Sequence, residues 1–429
     1  RIAKQQMVFI VDEAHRSTGG DMLASIKHAL PHSAWVGYTG TPTFADEKQD
    51  DKGELVQGTT TRAIFGDPLH IYTIKNAIAD GNVLQFKVDF ETTLSEKELR
   101  EHYLPEYFKQ VNPAKYENDP AALKERIKNL RAEDMDDMVA PSVYDENAEH
   151  VRLVVKDVLE KWEKRSNHRQ FNALFTTHVG GNRASTPMAM MYYREFKRQN
   201  AQLAHPLKIA ITFSQQTNNH RGQLDTNRGL REAMDDYNAM FGTHFGDDQV
   251  KEYTAQVVSR LDRTINDDRP QADRYLDLVI VVDQLLTGFD APQLNTLYVD
   301  RTLKGAGLIQ AYSRTNRVFD SEAKPYGRIV NYRWPHHSEK EMKKALATYA
   351  NRMSAAAQTR LPGTNPQPGG DPGEGNGVDG ITPPDFDKTK QELKAVVDDL
   401  RKLTDDFKRT PDDQEKLTEM TKKVHQYNH

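Results

Sequence analysis

Residues 7–15 read MVFIVDEAH, and the fold follows from how that stretch is taken. Met7, Val8, Phe9, Ile10 and Val11 form a short apolar run rich in β-branched side chains, cut off by Asp12 and Glu13. This pattern predicts a buried parallel strand whose carboxyl end delivers two carboxylates to a sheet edge, where α/β proteins bind ligands. Adjacent acids on a rigid strand end form a Walker B arrangement. The first can hold Mg²⁺ through its water shell, and the second can polarise a water for attack on a γ-phosphate. A strand ending by chance in a solvated Asp-Glu pair has the same letters, so the remainder of the chain decides between the two.

Working outward, Met22, Leu23, Ile26 and Leu30 recur at helical spacing before Pro31. A second strand follows at residues 34–38 and runs into Thr39, Gly40, Thr41 and Pro42. Strand, helix and strand make a βαβ unit, so two neighbouring strands bring polar groups to one edge. An amphipathic segment with Leu69, Tyr72, Ile74, Ala77 and Ile78 leads through a Gly81-Asn82 turn to a strand at 83–90. Residues 95–149 are highly charged, with Glu133, Asp134, Asp136 and Asp137 on helical stretches, and read as a connector with solvated helix faces.

A fresh alternation begins near residue 150. Val151, Val154, Val155, Val158, Leu159 and Trp162 share a helical face. Strands are predicted at 172–177, 207–213, 278–282, 296–300 and 328–332, with helices at 188–197 and 230–241 between them. Alternation over this length predicts a second doubly wound α/β domain. Residues 361–385 are dominated by Pro and Gly and are expected to form a mobile linker. Beyond it, Leu393, Val396, Val397, Leu400 and Leu403 fall at helical spacing. Thr410 as N-cap and Pro411 at the first helical position announce a second helix, giving a small hairpin.

The chain has 429 residues, enough for two or three domains, and a net charge of -5 that gives no global basic signature for nucleic acid. Local basic strips matter more than that sum. With no cysteine there are no disulfides or thiolate metal sites, and a reducing compartment is expected. No apolar run is long enough to span a bilayer, so the expectation is a cytoplasmic protein without a membrane partner. The first residue is Arg1, just before a core strand, and the chain is expected to be a fragment of a longer protein.

Two further stretches decide the reading of Asp12 and Glu13. One is Thr287, Gly288, Phe289, Asp290, Ala291, Pro292; the other is Gln310, Ala311, Tyr312, Ser313, Arg314, Thr315, Asn316, Arg317. Arg314 and Arg317 lie three apart and are predicted to share a helix face that points across a cleft. An arginine delivered from a second lobe to a γ-phosphate stabilises charge that develops in the transition state.

In order, DEAH, TGTP, TGFDAP and QAYSRTNR resemble motifs II, III, V and VI of superfamily 2 helicases and translocases. The phrases DEAHRS, YTGTP, LLTGFDAPQLNTLYVD and GLIQAYSRTNRVFD are similar to those of the motor (R) subunit of type I restriction enzymes, and the resemblance covers about residues 5–335. It implies RecA-like helicase lobes: the carboxyl-terminal part of lobe 1 over 1–94, a connector over 95–149, and a complete lobe 2 over 150–340. A helical extension (341–360), the linker (361–385) and a helical tail (386–429) follow.

The resemblance implies an ATP-dependent double-stranded DNA translocase, with ATP and Mg²⁺ as cofactors and methyltransferase and specificity subunits as partners. By the same resemblance Asp12 holds Mg²⁺ and Glu13 activates water. His15, Thr39, Gly40 and Thr41 couple the nucleotide cleft to the DNA path. Gly288 and Asp290 line the cleft, Gln310 senses nucleotide, and Arg314 with Arg317 contacts phosphates. Ser313 stands where the wider superfamily has glycine and matches the type I version.

No G-x-x-x-x-G-K-[ST] occurs in the chain, so the phosphate-cradling loop is expected upstream of Arg1, together with the nuclease domain. These residues alone are therefore expected to be inactive as an ATPase. Asp320, Glu322 and Lys324 mimic half of a nuclease signature but fall in a short polar turn, read as a solvated loop. The alternatives are another superfamily 2 helicase or remodelling motor, or a non-catalytic interaction fragment that docks a methyltransferase.

Overall fold

The computed structural model describes residues 6–17, 21–43, 60–180, 184–212, 222–349, 380–382, 386–411 and 413–428. Two compact units emerge, residues 1–381 and 382–429. The first holds two parallel sheets. One pairs β1 (Met7–Val11) with β2 (Ser33–Gly37), joined by helix α1 (Asp21–Ala29). The other has six strands: β3 (Gln85–Phe90), β4 (Asn172–Thr177), β5 (Ile209–Thr212), β6 (Leu278–Val281), β7 (Leu294–Asp300) and β8 (Tyr326–Asn331), in spatial order β3-β8-β7-β4-β6-β5.

Every residue of β4, β5, β6 and β7 is buried. That is the signature of parallel strands covered on both faces, which is why these segments read as continuous apolar runs. The crossovers include α7 (Ala148–Glu160), α8 (Thr186–Asn200), α9 (Gly222–Phe241), α10 (Val250–Leu261) and α11 (Gly305–Tyr312), and α12 (Pro335–Ala347) follows the last strand. α7 starts where the Asn147 side chain accepts the Glu149 and His150 N–H groups. Its Val151, Val154, Val155 and Val158 enter one core with Phe175, Ile280 and Tyr298. Full burial of such side chains contributes roughly 1.5–3 kcal/mol each.

Several expectations shift. β1 is not buried on both faces: Phe9 stacks on Trp35 at 4.2 Å, but Val8 is 68% and Ile10 74% exposed. A two-stranded sheet with helices on one side covers one face only. β3, expected in the first lobe through residue 94, pairs in parallel with β8 from Gln85↔Tyr326 to Phe90↔Asn331 and belongs to the second sheet. Its wedge of apolar side chains has its complement there, with Phe86 fully buried in the large core. Of the stretch 361–385, residues 361–379 and 383–385 lie outside the described residues. Ile381 is fully buried in the same core, and its carbonyl accepts the Phe86 N–H at 2.9 Å.

Between β2 and β3 along the chain come α2 (Thr61–Phe65) and α3 (Ile74–Ala79), the latter opened by a capping box between Thr73 and Asn76. The charged stretch 95–149 is helical, with α4 (Leu104–Val111), α5 (Pro120–Lys128) and α6 (Ala132–Asp136) around a small core of Leu104, Phe108, Leu123, Ile127 and Met135. In the second unit, α13 (Phe386–Leu403) packs on α14 (Gln414–Asn428). Val396 and Leu400 are buried and Leu393 is exposed. α14 is capped by Asp413, whose carboxylate accepts the Lys416 N–H at 3.0 Å, and not by Thr410. The helix thus begins three residues later than the Thr-Pro signal suggests.

Candidate nucleotide-facing site between the two sheets

The carboxyl ends of β1 and β2 are stitched together beyond the strands. The Tyr38 N–H donates to the Val11 carbonyl and the Ala14 N–H to the Tyr38 carbonyl, both at 2.8 Å. Gly37 permits the approach, since a Cβ there would sit 2.8 Å from that of Ala14. DEAH and TGTP are therefore held side by side. Asp12 is exposed, and its Oδ1 accepts the Glu13 N–H at 2.8 Å. Glu13 has φ +48, in the left-handed region where a non-glycine residue stores strain of order 1–3 kcal/mol, as residues at functional sites do.

His15 is the junction. Its Nδ1 lies 2.8 Å from Thr39 Oγ1 and 3.4 Å from Glu13 Oε2, and its Nε2 lies 2.9 Å from Gln310 Nε2. An amide nitrogen can only donate, so with Gln310 in this orientation His15 Nε2 accepts and Nδ1 carries the proton toward Thr39. Gln310 Nε2 also donates to Thr41 Oγ1 at 2.6 Å, and the Thr41 N–H donates to Thr39 Oγ1 at 3.1 Å. One glutamine on α11 of the second sheet thus touches both polar ends of the first. A Cβ added at Gly40 would meet nothing within 4 Å, so packing does not demand the glycine there.

Arg314 and Arg317 do not lie on a helix as the spacing suggested. α11 ends at Tyr312, Ser313 caps it, and the chain turns through Arg314. Arg317 makes an antiparallel bridge to Val83, and the Leu84 N–H donates to the Asn316 carbonyl at 2.8 Å. The turn crosses the start of β8 so closely that a Cβ on Gly327 would lie 2.8 Å from the Thr315 backbone. The two arginines still converge. Arg314 Nη1 donates to the Phe289 carbonyl and its Nε to the Gln310 carbonyl at 3.0 Å, while Arg317 Nε donates to Asp290 Oδ1 at 2.6 Å. Gly288 takes φ +71 in the turn presenting those two partners. Burial above all, and then the charge of Arg317, push the Arg314 pKa down, while Asp290 and Glu13 pull it up.

Lys324 corrects the solvated-loop reading. It is 1% exposed, and its Nζ donates to the carbonyls of Pro292 (2.7 Å), Leu294 (2.9 Å) and Arg317 (2.9 Å). Asp320 and Glu322 are exposed as expected. Burial, and less so Arg317, push the Lys324 ammonium down to about 7, against the pull of Asp290. A polar turn in sequence gave no sign of it, because its acceptors are backbone carbonyls contributed by other segments.

As a group, Asp12 offers the hard oxygen that Mg²⁺ prefers, at an exposed strand end. Among the described residues there is no group of three or more His, Asp or Glu side chains that could enclose a metal.

A parallel sheet whose polar strand ends meet a glutamine from a helix of a second parallel sheet defines a two-lobed α/β protein of the RecA-like ATPase class. Residues 2–121 match the SWI2/SNF2 ATPase family and residues 169–334 match type I restriction enzyme subunit R domain 3. Over about three quarters of its length the chain is a homologue of the type I restriction enzyme R subunits. It is 35% identical over 332 residues to an endonuclease subunit from Staphylococcus aureus, and 37% identical over 333 residues to one from Staphylococcus saprophyticus. In both cases 76% of this chain and 31% of the relative are covered. The Haemophilus influenzae HindI endonuclease subunit is 24% identical over 363 residues, 81% of this chain and 28% of that one. A fragment structure from Vibrio vulnificus, described as an HsdR subunit, aligns with TM-score 0.42 and 16% identity over 76% of this chain and 43% of that chain. The chain therefore spans about a third of the length of its curated relatives.

Proposed function

We propose that these residues form the catalytic cleft of an ATP-driven double-stranded DNA translocase that powers cleavage by a type I restriction enzyme. The observation that carries the reading is the Gln310 bridge to His15 and Thr41, which links α11 of one sheet to the strand ends of the other. In this reading Asp12 holds Mg²⁺, which would supply positive charge against the phosphates. Glu13 orients and deprotonates the attacking water, with His15 at 3.4 Å from its carboxylate transmitting the state of Thr39 and Thr41. Arg314 and Arg317 leave their partners on Phe289 and Asp290 to meet the phosphates as the lobes close. The second unit is then a docking element for the methyltransferase and specificity subunits, outside the motor.

Transition-state contacts appear in turnover more than in ground-state affinity. In a full-length subunit carrying these residues, Arg314→Ala or Arg317→Ala is expected to lower DNA-stimulated ATP turnover by roughly 10³–10⁵, the range of arginine fingers, with only a few-fold change in ATP affinity. Steady-state hydrolysis and equilibrium nucleotide binding measure the two separately. Near-normal turnover in both variants would remove the arginines from the reaction.

A further inference from the structure

The three hydrogens of the Lys324 ammonium are all used, and each goes to a backbone carbonyl beside the arginine site. Pro292 and Leu294 follow Asp290 by two and four residues, and the third acceptor is the carbonyl of Arg317 itself. Arg317 is thereby tied to the 290–294 segment twice: its side chain bonds Asp290 at 2.6 Å, and its backbone shares a cation with Pro292 and Leu294. The lysine is set in place by its own N–H, which donates to the Asp320 carbonyl at 2.7 Å. From the other side the same turn is held by Val83 and Leu84. An apolar side chain could fill this space, and burying a cation costs more than burying methylenes. What the cation adds is direction, because three carbonyls converging on one point must keep a fixed separation.

We propose that Lys324 is a positioning residue for Arg317, holding the backbones of the 290–294 and 314–317 segments at the spacing from which the guanidinium reaches the phosphates. The proposal rests on the reading of Arg317 as a phosphate-facing arginine. Lys324 touches neither nucleotide nor metal and acts through Arg317 alone.

The test uses the full-length subunit with Lys324→Met, which keeps the length and loses the charge, and Lys324→Gln, which keeps two donors. Affinities for ADP and for ADP with aluminium fluoride and Mg²⁺ are measured by calorimetry below the melting temperature of each variant, beside Arg317→Ala. Mimics of the transition state report contacts made only there. Lys324→Met is expected to weaken the aluminium fluoride complex by about tenfold or more, with ADP affinity within about threefold of the parent, and Lys324→Gln to fall between. Unchanged affinity for the mimic overturns the proposal, as does an equal loss for ADP, which assigns the lysine to the fold of the lobe. If Lys324→Met does not fold, the same two affinities of Lys324→Gln decide. Failure of the underlying reading looks different: Arg317→Ala itself would then keep the tight complex.

Discussion

Asp300 shows how much one buried charge is made to hold. It ends β7 with no exposure, and its carboxylate accepts from Arg333 at 2.7 and 2.8 Å, from His150 Nε2 at 2.8 Å and from Thr177 at 3.2 Å. Arg333 reaches on to Asp145, and His150 Nδ1 lies 2.6 Å from Thr93, so helix α7 and the connector both hang on this carboxylate. Burial alone would raise its pKa, but Arg333 and His150 outweigh burial and hold it well below the usual carboxylate range. A carboxylate whose folded pKa is depressed adds stability that is fully present above its unfolded pKa, near 4, and is lost as pH falls below that value. Asp300→Ala is expected to cost about 3–5 kcal/mol at neutral pH, because it strands a buried guanidinium. Urea denaturation from pH 7 down to pH 3 should show the difference from the parent shrinking in acid. A loss under 1 kcal/mol at neutral pH would mean Arg333 finds other acceptors.

At the level of elements, α12 begins where its own residues offer no cap. Trp334 at the N-cap has φ +41 and no capping side chain, and Asp136, at the end of α6, instead accepts the N–H groups of His336 (2.7 Å) and His337 (3.0 Å). Asp136→Ala should cost about 1–3 kcal/mol, a lost cap plus part-buried donors left unmet, and Asp136→Asn less. Hydrogen exchange at His336 and His337 would report it, and unchanged protection would discount the cap. The same contact explains what could be read in the sequence and what could not. β4, β6 and β7 were legible because apolar runs carry their own burial signal, whereas Asp12, His15, Thr41 and Gln310 were singled out by the resemblance of the motifs that carry them. α10 escaped the reading despite Tyr253, Val257 and Leu261 at helical spacing. The sheet to which β3 belongs, the buried state of Lys324 and the Asp136 cap depend on partners far along the chain. Nothing local in the sequence marks a carbonyl or an N–H as someone else's partner.

On the scale of the whole molecule, the large core closes on a residue from well beyond the last strand. A chain ending at Thr382 should keep the melting behaviour of the six-stranded sheet, whereas one ending at residue 361 loses Ile381, empties its core site and leaves the Phe86 N–H unpaired. The expected loss is about 2–5 kcal/mol, the range for emptying such a site. Chemical denaturation of the two truncated proteins compares them, and equal midpoints would show that Ile381 adds nothing. Tyr349, 3% exposed, belongs to the same core as Ile381. Because Ile381 comes fifty residues after the end of β8 yet fills this core, a chain emerging during synthesis completes the core only once it has been made through that isoleucine.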